Sequence, residues 1–350
     1  MKQQKKRKIK WILPILLLVI LLGIIVFLAM KIFGQKAMLK QTTTDVVMTA
    51  PETEKVVVED DGVTITYNGE KYVYNENITS VLCMGVDKSD LEEDDLVIGS
   101  AGQADMLMLA IMDTESGKVN LWNISRDSMT EVDIYNVNGE YVKTEEMQAC
   151  LAFAYGDGKH GSCENTVKAV SRLLYGMPIQ SYAVLDIAAI QPLNDAIGGV
   201  EVMIHEEDIL HGRFKPGEKV LLMGDDVTFY VSSRRTEIPG EPIDSNNNRM
   251  ARQRQYMMNF IQKVMQKTKE DISTPLNLFS IVKKNDHVIT NLDTSKIAYL
   301  TTLVTKVDFS EDSFRTVPGE VVAGEKHAEY HVDDETLYQM ILDTFYVKAE

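Results

Sequence analysis

Between Trp11 and Met30 the chain runs for twenty residues without a charge, bounded by Lys10 and Lys31. No other stretch constrains the fold as tightly. Twenty helical residues rise about 30 Å, the depth of a bilayer's hydrocarbon core. Lys2, Lys5, Lys6, Arg7, Lys8 and Lys10 precede it, with no acid among them. A basic flank stays on the cytoplasmic side. The reading is therefore a cytoplasmic tail over 1–10, a transmembrane anchor over 11–33, and everything later outside the cell. The run exceeds the apolar core of a cleaved signal peptide, and Gln35 stands where cleavage before Met38 needs a small residue. The anchor is read as uncleaved.

The rest of the chain is acidic: 52 Asp+Glu outnumber 36 Lys+Arg even with the basic tail counted. That balance excludes a nucleic-acid binder, which needs basic stripes. Three cysteines, Cys83, Cys150 and Cys163, exclude a disulfide framework. Cys150 and Cys163 either pair or remain structural thiols. An acidic, cysteine-poor ectodomain suits the surface of a bacterium without disulfide-making machinery, such as a Gram-positive type. Residues 34–60 are polar, Thr-rich and broken by Pro51, and read as a stalk. Residues 61–350 form the extracellular domain.

Within that domain, Val63–Tyr67 and Lys71–Tyr74 alternate around Asn68-Gly69, a hairpin signal. Apolar runs at Ile78–Val86, Asp105–Met112 and Val119–Ile124 read as strands buried on both faces. Thr144, followed by Glu145 and Glu146, reads as the cap of a helix reaching Tyr155. Further helices are expected at Glu164–Tyr175, Ile187–Ile197, Arg249–Lys267 and near 275–283, 294–305 and 334–346. Strands are expected at Val200–Ile204 and Asp226–Val231. Interleaved strands and helices make the class α/β.

Open α/β sheets bind ligands at the carboxyl ends of their strands. Three such ends are polar: Asp87, Arg126-Asp127, and the segment after Tyr230 with Arg234 and Arg235. Asp105 opens its strand. Arg249, Arg252 and Gln253 share one face at the start of the long helix, where Ser245 and Asn246 can cap it. Helix amides and guanidinium forks together make a phosphate seat, and paired carboxylates suit Mg²⁺, which shares its ligands with a substrate phosphate. Taken singly, each acid also fits a cap or surface ion pair, and each arginine a solvated helix face. His327 and His331, four apart without a third ligand, read as surface histidines.

The ordered segments GVD (85–87), GQADMLML (102–109), NISRDSM (123–129), SYAVLDIAAIQPLNDAIGGVEV (181–202), YVSSRR (230–235) and NNNRMARQRQ (246–255) resemble the LytR-CpsA-Psr family. The likeness spans roughly 78–346. It implies a three-layer α/β/α domain with a central mixed sheet. The implied activity is transfer of a glycopolymer from an undecaprenyl-pyrophosphate carrier to the peptidoglycan muramyl hydroxyl, with Mg²⁺. Asp87 and Asp105 match the family's metal-binding acids. Arg126, Arg234, Arg249, Arg252 and Gln253 match its pyrophosphate-binding positions, and Arg235 does so under a one-residue shift. This chain departs at three places. Gln103 and Ser232 stand where arginines are usual, and Asn246 stands for an aspartate, leaving Asp127 as the substitute base. These departures keep two alternatives open: a non-catalytic receptor for polyprenyl-linked glycans, and a pyrophosphatase on the same carrier. The implied lipid tunnel would draw on helices at Met147–Leu151 and Val167–Leu174, with Met257, Met258, Phe260, Ile261 and Met265. Read without the family, the same residues are core.

Overall fold

The computed structural model describes residues 32–39, 48–51, 56–58, 63–86, 99, 101–205, 213–233, 245–304, 311–324 and 327–349. The chain opens with helix α1 (residues 32–39) and strand β1 (Val56–Val58). The hairpin β2 (Thr64–Tyr67) and β3 (Glu70–Tyr74) follows, its turn made by Asn68 and Gly69 at φ 50° and 79°. Both values lie in the left-handed region that twists a two-residue loop to match its strands. Next come β4 (Ile78–Val86), β5 (Ala104–Asp113), β6 (Val119–Ile124), β7 (Met129–Tyr135) and β8 (Tyr141–Gln148). The short α2 (Leu151–Ala154) leads into α3 (His160–Leu173), β9 (Ser181–Asp186) and α4 (Ile190–Ala196). The hairpin β10 (Val200–Met203) and β11 (Lys219–Leu222) precedes α5 (Asp225–Ser232), α6 (Ser245–Glu270) and α7 (Thr274–Lys284). The chain ends with β12 (Val288–Thr290), α8 (Thr294–Val304), β13 (Phe314–Thr316), the hairpin β14 (Gly319–Ala323) and β15 (Ala328–Val332), α9 (Asp334–Phe345) and β16 (Tyr346–Lys348).

Six strands form the central mixed sheet in the order β12-β9-β4-β5-β6-β13. Pairs β4–β9 and β6–β13 are parallel; the others are antiparallel. Side chains alternate across it, so each strand feeds two layers. Leu107, Leu109 and Ile111 of β5 join Val167 and Val170 of α3 and Ile341 and Phe345 of α9 in the main core. Trp122 packs edge-on against Phe345 at 5.6 Å. On the other face, Met108 and Leu121 meet Met257, Met258 and Ile261 of α6. Helices therefore cover both faces of the sheet. A satellite core joins β10, β11, α5 and the front of α6 through Val200, Leu222, Tyr230 and Tyr256.

Three expectations are corrected. The helix from Thr144 to Tyr155 is mostly strand: residues 141–148 pair with β7, and only Leu151–Ala154 is helical. The strand at Asp226–Val231 is helix α5. The stalk over 34–60 is not free-standing where it is described. Met38 is fully buried against Val81, Tyr299 and Leu303, Thr49 N–H donates to the Tyr175 carbonyl, and β1 pairs with β2. The anchor over 11–33 lies outside the described residues up to residue 31; among those described, no helix is long and apolar enough to cross a membrane.

Candidate functional site

Strand register brings the chemistry to one edge of the central sheet. Val86, which precedes Asp87, pairs with both Ala104 and Asp186, and Ile124, which precedes Ser125-Arg126, pairs with Leu107. The carboxyl ends of β4, β6 and β9 thus meet the amino end of β5. The β4–β5 register jumps at this point: Gly85 pairs with Met106 and Val86 with Ala104, leaving Asp105 as the extra residue of a bulge. A bulge re-aims side chains and breaks strict alternation. Ala104 and Leu107 both pack in the main core, so alternation breaks between them, and Asp105 at the bulge meets the Arg126 guanidinium.

Arg126 is the hub. Its guanidinium donates to Asp105 Oδ1 and, at 2.7 Å, to Gln103 Oε1; its Nε lies 3.4 Å from Asp127 Oδ1. Burial alone would lower its pKa, but the neighbouring Cys150, Asp105 and Asp127 outweigh that and raise it. Backbone bonds fix the turn: Cys150 N–H donates to the Arg126 carbonyl at 3.0 Å, and Ala149 N–H to that of Ser128 at 2.8 Å. Gln148 then donates to Asp127 Oδ1 at 3.1 Å and to the Ala328 carbonyl at 2.8 Å. Tyr330 N–H closes the frame on the Asp127 carbonyl. The hairpins β7–β8 and β14–β15 therefore hold Asp127 and Arg126 in place. Arg126, Asp105 and Asp127 each keep about a third of their side-chain surface, 31 %, 34 % and 34 %.

The other expected residues fall into two groups. Asp87, Arg234 and Arg235 lie outside the described residues, as does the Asn246 side chain. Arg252 is fully buried; its Nε donates to the Tyr230 carbonyl at 3.0 Å, its guanidinium also to that of Ser233, and Gln253 donates to that of Val231 at 3.0 Å. These bonds satisfy carbonyls at the end of α5, so both residues fix the carboxyl end of that helix. Ser232 bonds back to the Thr228 carbonyl of its own helix at 2.6 Å. Helix α6 begins at Ser245, a turn earlier than expected, and half-buried Arg249 sits in its second turn.

Gln148 and Asp186 were not singled out in the sequence, and Cys150 was read there only as a paired or structural thiol. Asp186 is buried at the same sheet edge, accepting from Ala189 N–H at 2.9 Å and bonded to His287 Nδ1 at 2.8 Å. Its strand-end position was the available signal; Gln148 carried none, and nothing in the sequence placed Cys150 next to Arg126. All three cysteines are free, and burial pushes Cys150 up to about 11, so it stays a neutral thiol beneath Arg126. His331 bonds Glu329 at 2.9 Å on exposed β15, as a surface histidine does. Of the expected tunnel, Met147 lies on a strand and Val167–Leu174 belongs to the main core. Phe260 packs on the satellite core, while Met257, Met258 and Ile261 pack on Met108 and Leu121 of the sheet.

Among the described residues no cluster of three or more His, Cys, Asp or Glu forms a metal cage. Mg²⁺ needs no such cage, since one or two carboxylates plus substrate oxygens and water complete it. Asp105, paired with Arg126 and about a third exposed, is one such carboxylate.

Residues 37–344 match the LytR_cpsA_psr family. The chain is 26 % identical over 215 residues to the cell wall biosynthesis protein LcpA of Corynebacterium glutamicum, covering 54 % of this chain and 40 % of that protein. It is 25 % identical over 195 residues to the polyisoprenyl-teichoic acid–peptidoglycan teichoic acid transferase TagU of Bacillus cereus, covering 56 % of this chain and 55 % of the relative. The chain thus spans about half the length of the curated relatives it matches. Its fold is like that of TagT solved bound to LIIa-WTA, with TM-score 0.53, 16 % identity, and 85 % and 98 % of the two chains covered. The match over most of the chain, on a sheet edge carrying the expected Asp105 and Arg126, makes this chain a member of the LytR-CpsA-Psr family.

Proposed function

We propose that the protein is a membrane-anchored phosphotransferase of the cell envelope that moves a glycopolymer from an undecaprenyl-pyrophosphate carrier onto peptidoglycan. The observation that carries this reading is the Arg126 cluster. A permanently charged guanidinium is held by Gln103, Asp105 and Asp127 at the end of β6, and apolar side chains of α6 pack on one face of the same sheet. A diphosphate with a greasy tail matches those two environments. The name of the relative TagU, a teichoic acid transferase acting from a polyisoprenyl carrier, supports the same class of reaction.

In this reading a phosphate oxygen displaces the neutral Gln103 amide from Arg126, an exchange that costs less than displacing a carboxylate. Arg249 of α6 would add a cation, as would Arg234 and Arg235, which follow α5 in the sequence. Preorganised charges of this kind supply most of the catalysis in phosphoryl transfer. Mg²⁺ held by Asp105 and Asp87 would neutralise diphosphate charge when bound. The acceptor hydroxyl oxygen bonds to the glycan-side phosphorus. The bridging P–O bond breaks, and polyprenyl monophosphate leaves with the electron pair. Asn246 takes up no proton, so Asp127, oriented by Gln148, receives the hydroxyl proton.

A second reading, a receptor that binds the lipid-linked glycan without turnover, is favoured by Gln103 and Asn246. The test uses the full-length protein in lipid nanodiscs with a synthetic polyprenyl-pyrophosphoryl sugar, Mg²⁺ and peptidoglycan fragments. Product on the fragments supports transfer, free sugar phosphate a pyrophosphatase, and tight binding with neither a receptor. Asp105→Ala and Arg126→Ala are expected to lower turnover at least about 100-fold. Unchanged turnover in both would remove the cluster from the mechanism.

A further inference from the structure

The end of the central sheet away from Arg126 carries a pocket that the transfer chemistry does not use. Strand register builds its floor. Ile78 of β4 pairs with Asp113 of β5, and Ile111 of β5 with Asn120 of β6. Paired residues share a face, and so do residues two apart, so these four point to one side of the sheet. Thr344 and Tyr346, where α9 passes into β16, close the pocket from that side. Lys118, Asp343 and Val347 form its exposed rim. The cavity measures about 170 Å³. At ~30 Å³ per water it has room for about six waters, or for one sugar ring in their place. From Asn120 to Ile124 the strand spans about 14 Å, which separates this pocket from the Arg126 turn.

Its polar groups are unevenly engaged. Asp113 Oδ1 accepts from Glu115 N–H at 2.9 Å and Ser116 N–H at 3.1 Å, while Asn75 Nδ2 donates to Oδ2 at 3.3 Å. Asp343 accepts from Gln339 at 2.9 Å. These groups form a fixed polar wall. Asn120 and Thr344 differ: they are 5 % and 9 % exposed, line the pocket, and have no side-chain hydrogen bond among the described residues. Lys118 likewise has no carboxylate within ion-pair distance there. A buried amide and hydroxyl without partners cost stability unless something in the pocket answers them.

We propose that this pocket is a carbohydrate-binding site that takes one neutral pyranose ring, apart from the Arg126 cluster. The lining selects that class. Two carboxylates oppose an anion, and the Lys118 ammonium opposes a cation. Sugar hydroxyls both donate and accept, which suits an amide, a hydroxyl, a carboxylate and an ammonium around one small space. Ile78, Ile111 and Tyr346 offer apolar surface to the ring's C–H groups, the usual mix of a small-ligand pocket. Only one ring fits, so a glycan enters by its end or by a branch.

The test titrates methyl β-glucoside, cellotetraose and glycerol into the full-length protein in nanodiscs, read by saturation-transfer NMR. The glucoside is expected to saturate with a Kd of about 1 mM, the ordinary affinity of so small a ligand, and glycerol to bind about tenfold more weakly. Asn120→Leu replaces the unpaired amide by an apolar group of similar size, so it is expected to keep the fold and weaken the glucoside about tenfold. Should that variant not fold, Lys118→Met at the exposed rim decides, with an expected loss of about threefold. Cellotetraose binding tighter than the glucoside marks a glycan end as the occupant, and equal affinities mark the free sugar; either supports the site. No saturable glucoside binding, equal binding of glycerol, or an unchanged Kd in the folded variant overturns it. None of these readouts involves transfer at Arg126, so this inference and the transferase reading fail separately.

Discussion

Asp133 makes the sharpest single-residue demand among the described residues. It is 1 % exposed and takes bonds from Thr144 Oγ1 at 2.7 Å and Arg172 at 2.8 Å, with Lys168 Nζ at 2.7 Å. Burial pushes its pKa up, but the bonds from Lys168, Thr144 and Arg172 outweigh this and hold it at about 2. A folded pKa below the unfolded one stabilises the native state fully above about pH 4, and the effect is lost as pH falls toward 2. At ~1.4 kcal/mol per unit, the shift contributes about 2 kcal/mol. Asp133→Asn is expected to lower stability by about that much at pH 7, with the deficit shrinking below pH 4, as urea unfolding across pH would record. A deficit independent of pH would sink the assignment. At this scale the sequence was partly legible. Asp105 and Arg126 follow from reading polar residues at strand ends. The bulge that aims Asp105, and the Gln148 bond that orients Asp127, depend on neighbouring strands that no local pattern announces.

Elements were legible where period and burial agree, as in β4, whose span matches the apolar run residue for residue. They were misread where local chemistry argued one way and packing another. Thr144-Glu145-Glu146 looks like a capped helix start, yet the segment is the outer strand of a hairpin whose partner β7 buries Val132 and Ile134. Val227-Thr228-Phe229-Tyr230-Val231 is rich in strand formers. Even so, Val227, Tyr230 and Val231 fall at i, i+3 and i+4 and are buried together, and Asp225 and Asp226 favour a helix N-terminus. Arg252 secures the other end of that helix. Arg252→Lys keeps the charge but lacks the planar fork, so it is expected to cost about 2–3 kcal/mol and to raise hydrogen exchange over 229–233. Unaltered exchange there would mean that the helix end does not need the fork.

For the whole molecule, the main revision concerns where the folded unit begins. Composition made 34–60 a tether, because polar, Thr-rich sequence without periodicity hides the few residues that pack. Met38 and Gly34 do pack, and β1 adds a fourth strand to the β2-β3-β16 sheet. Gly34→Val is expected to lift α1 from α8 and lower stability by about 2 kcal/mol, the worth of one buried methionine. Thermal unfolding of the full-length protein would show it, and a wild-type midpoint would argue that α1 is not part of the cooperative unit. The seating of α1 against α8 and Val81 also has a mechanical consequence: tension arriving along the chain ahead of residue 32 is borne first by the packed Gly34 and Met38, and the sheet behind them is spared the pull.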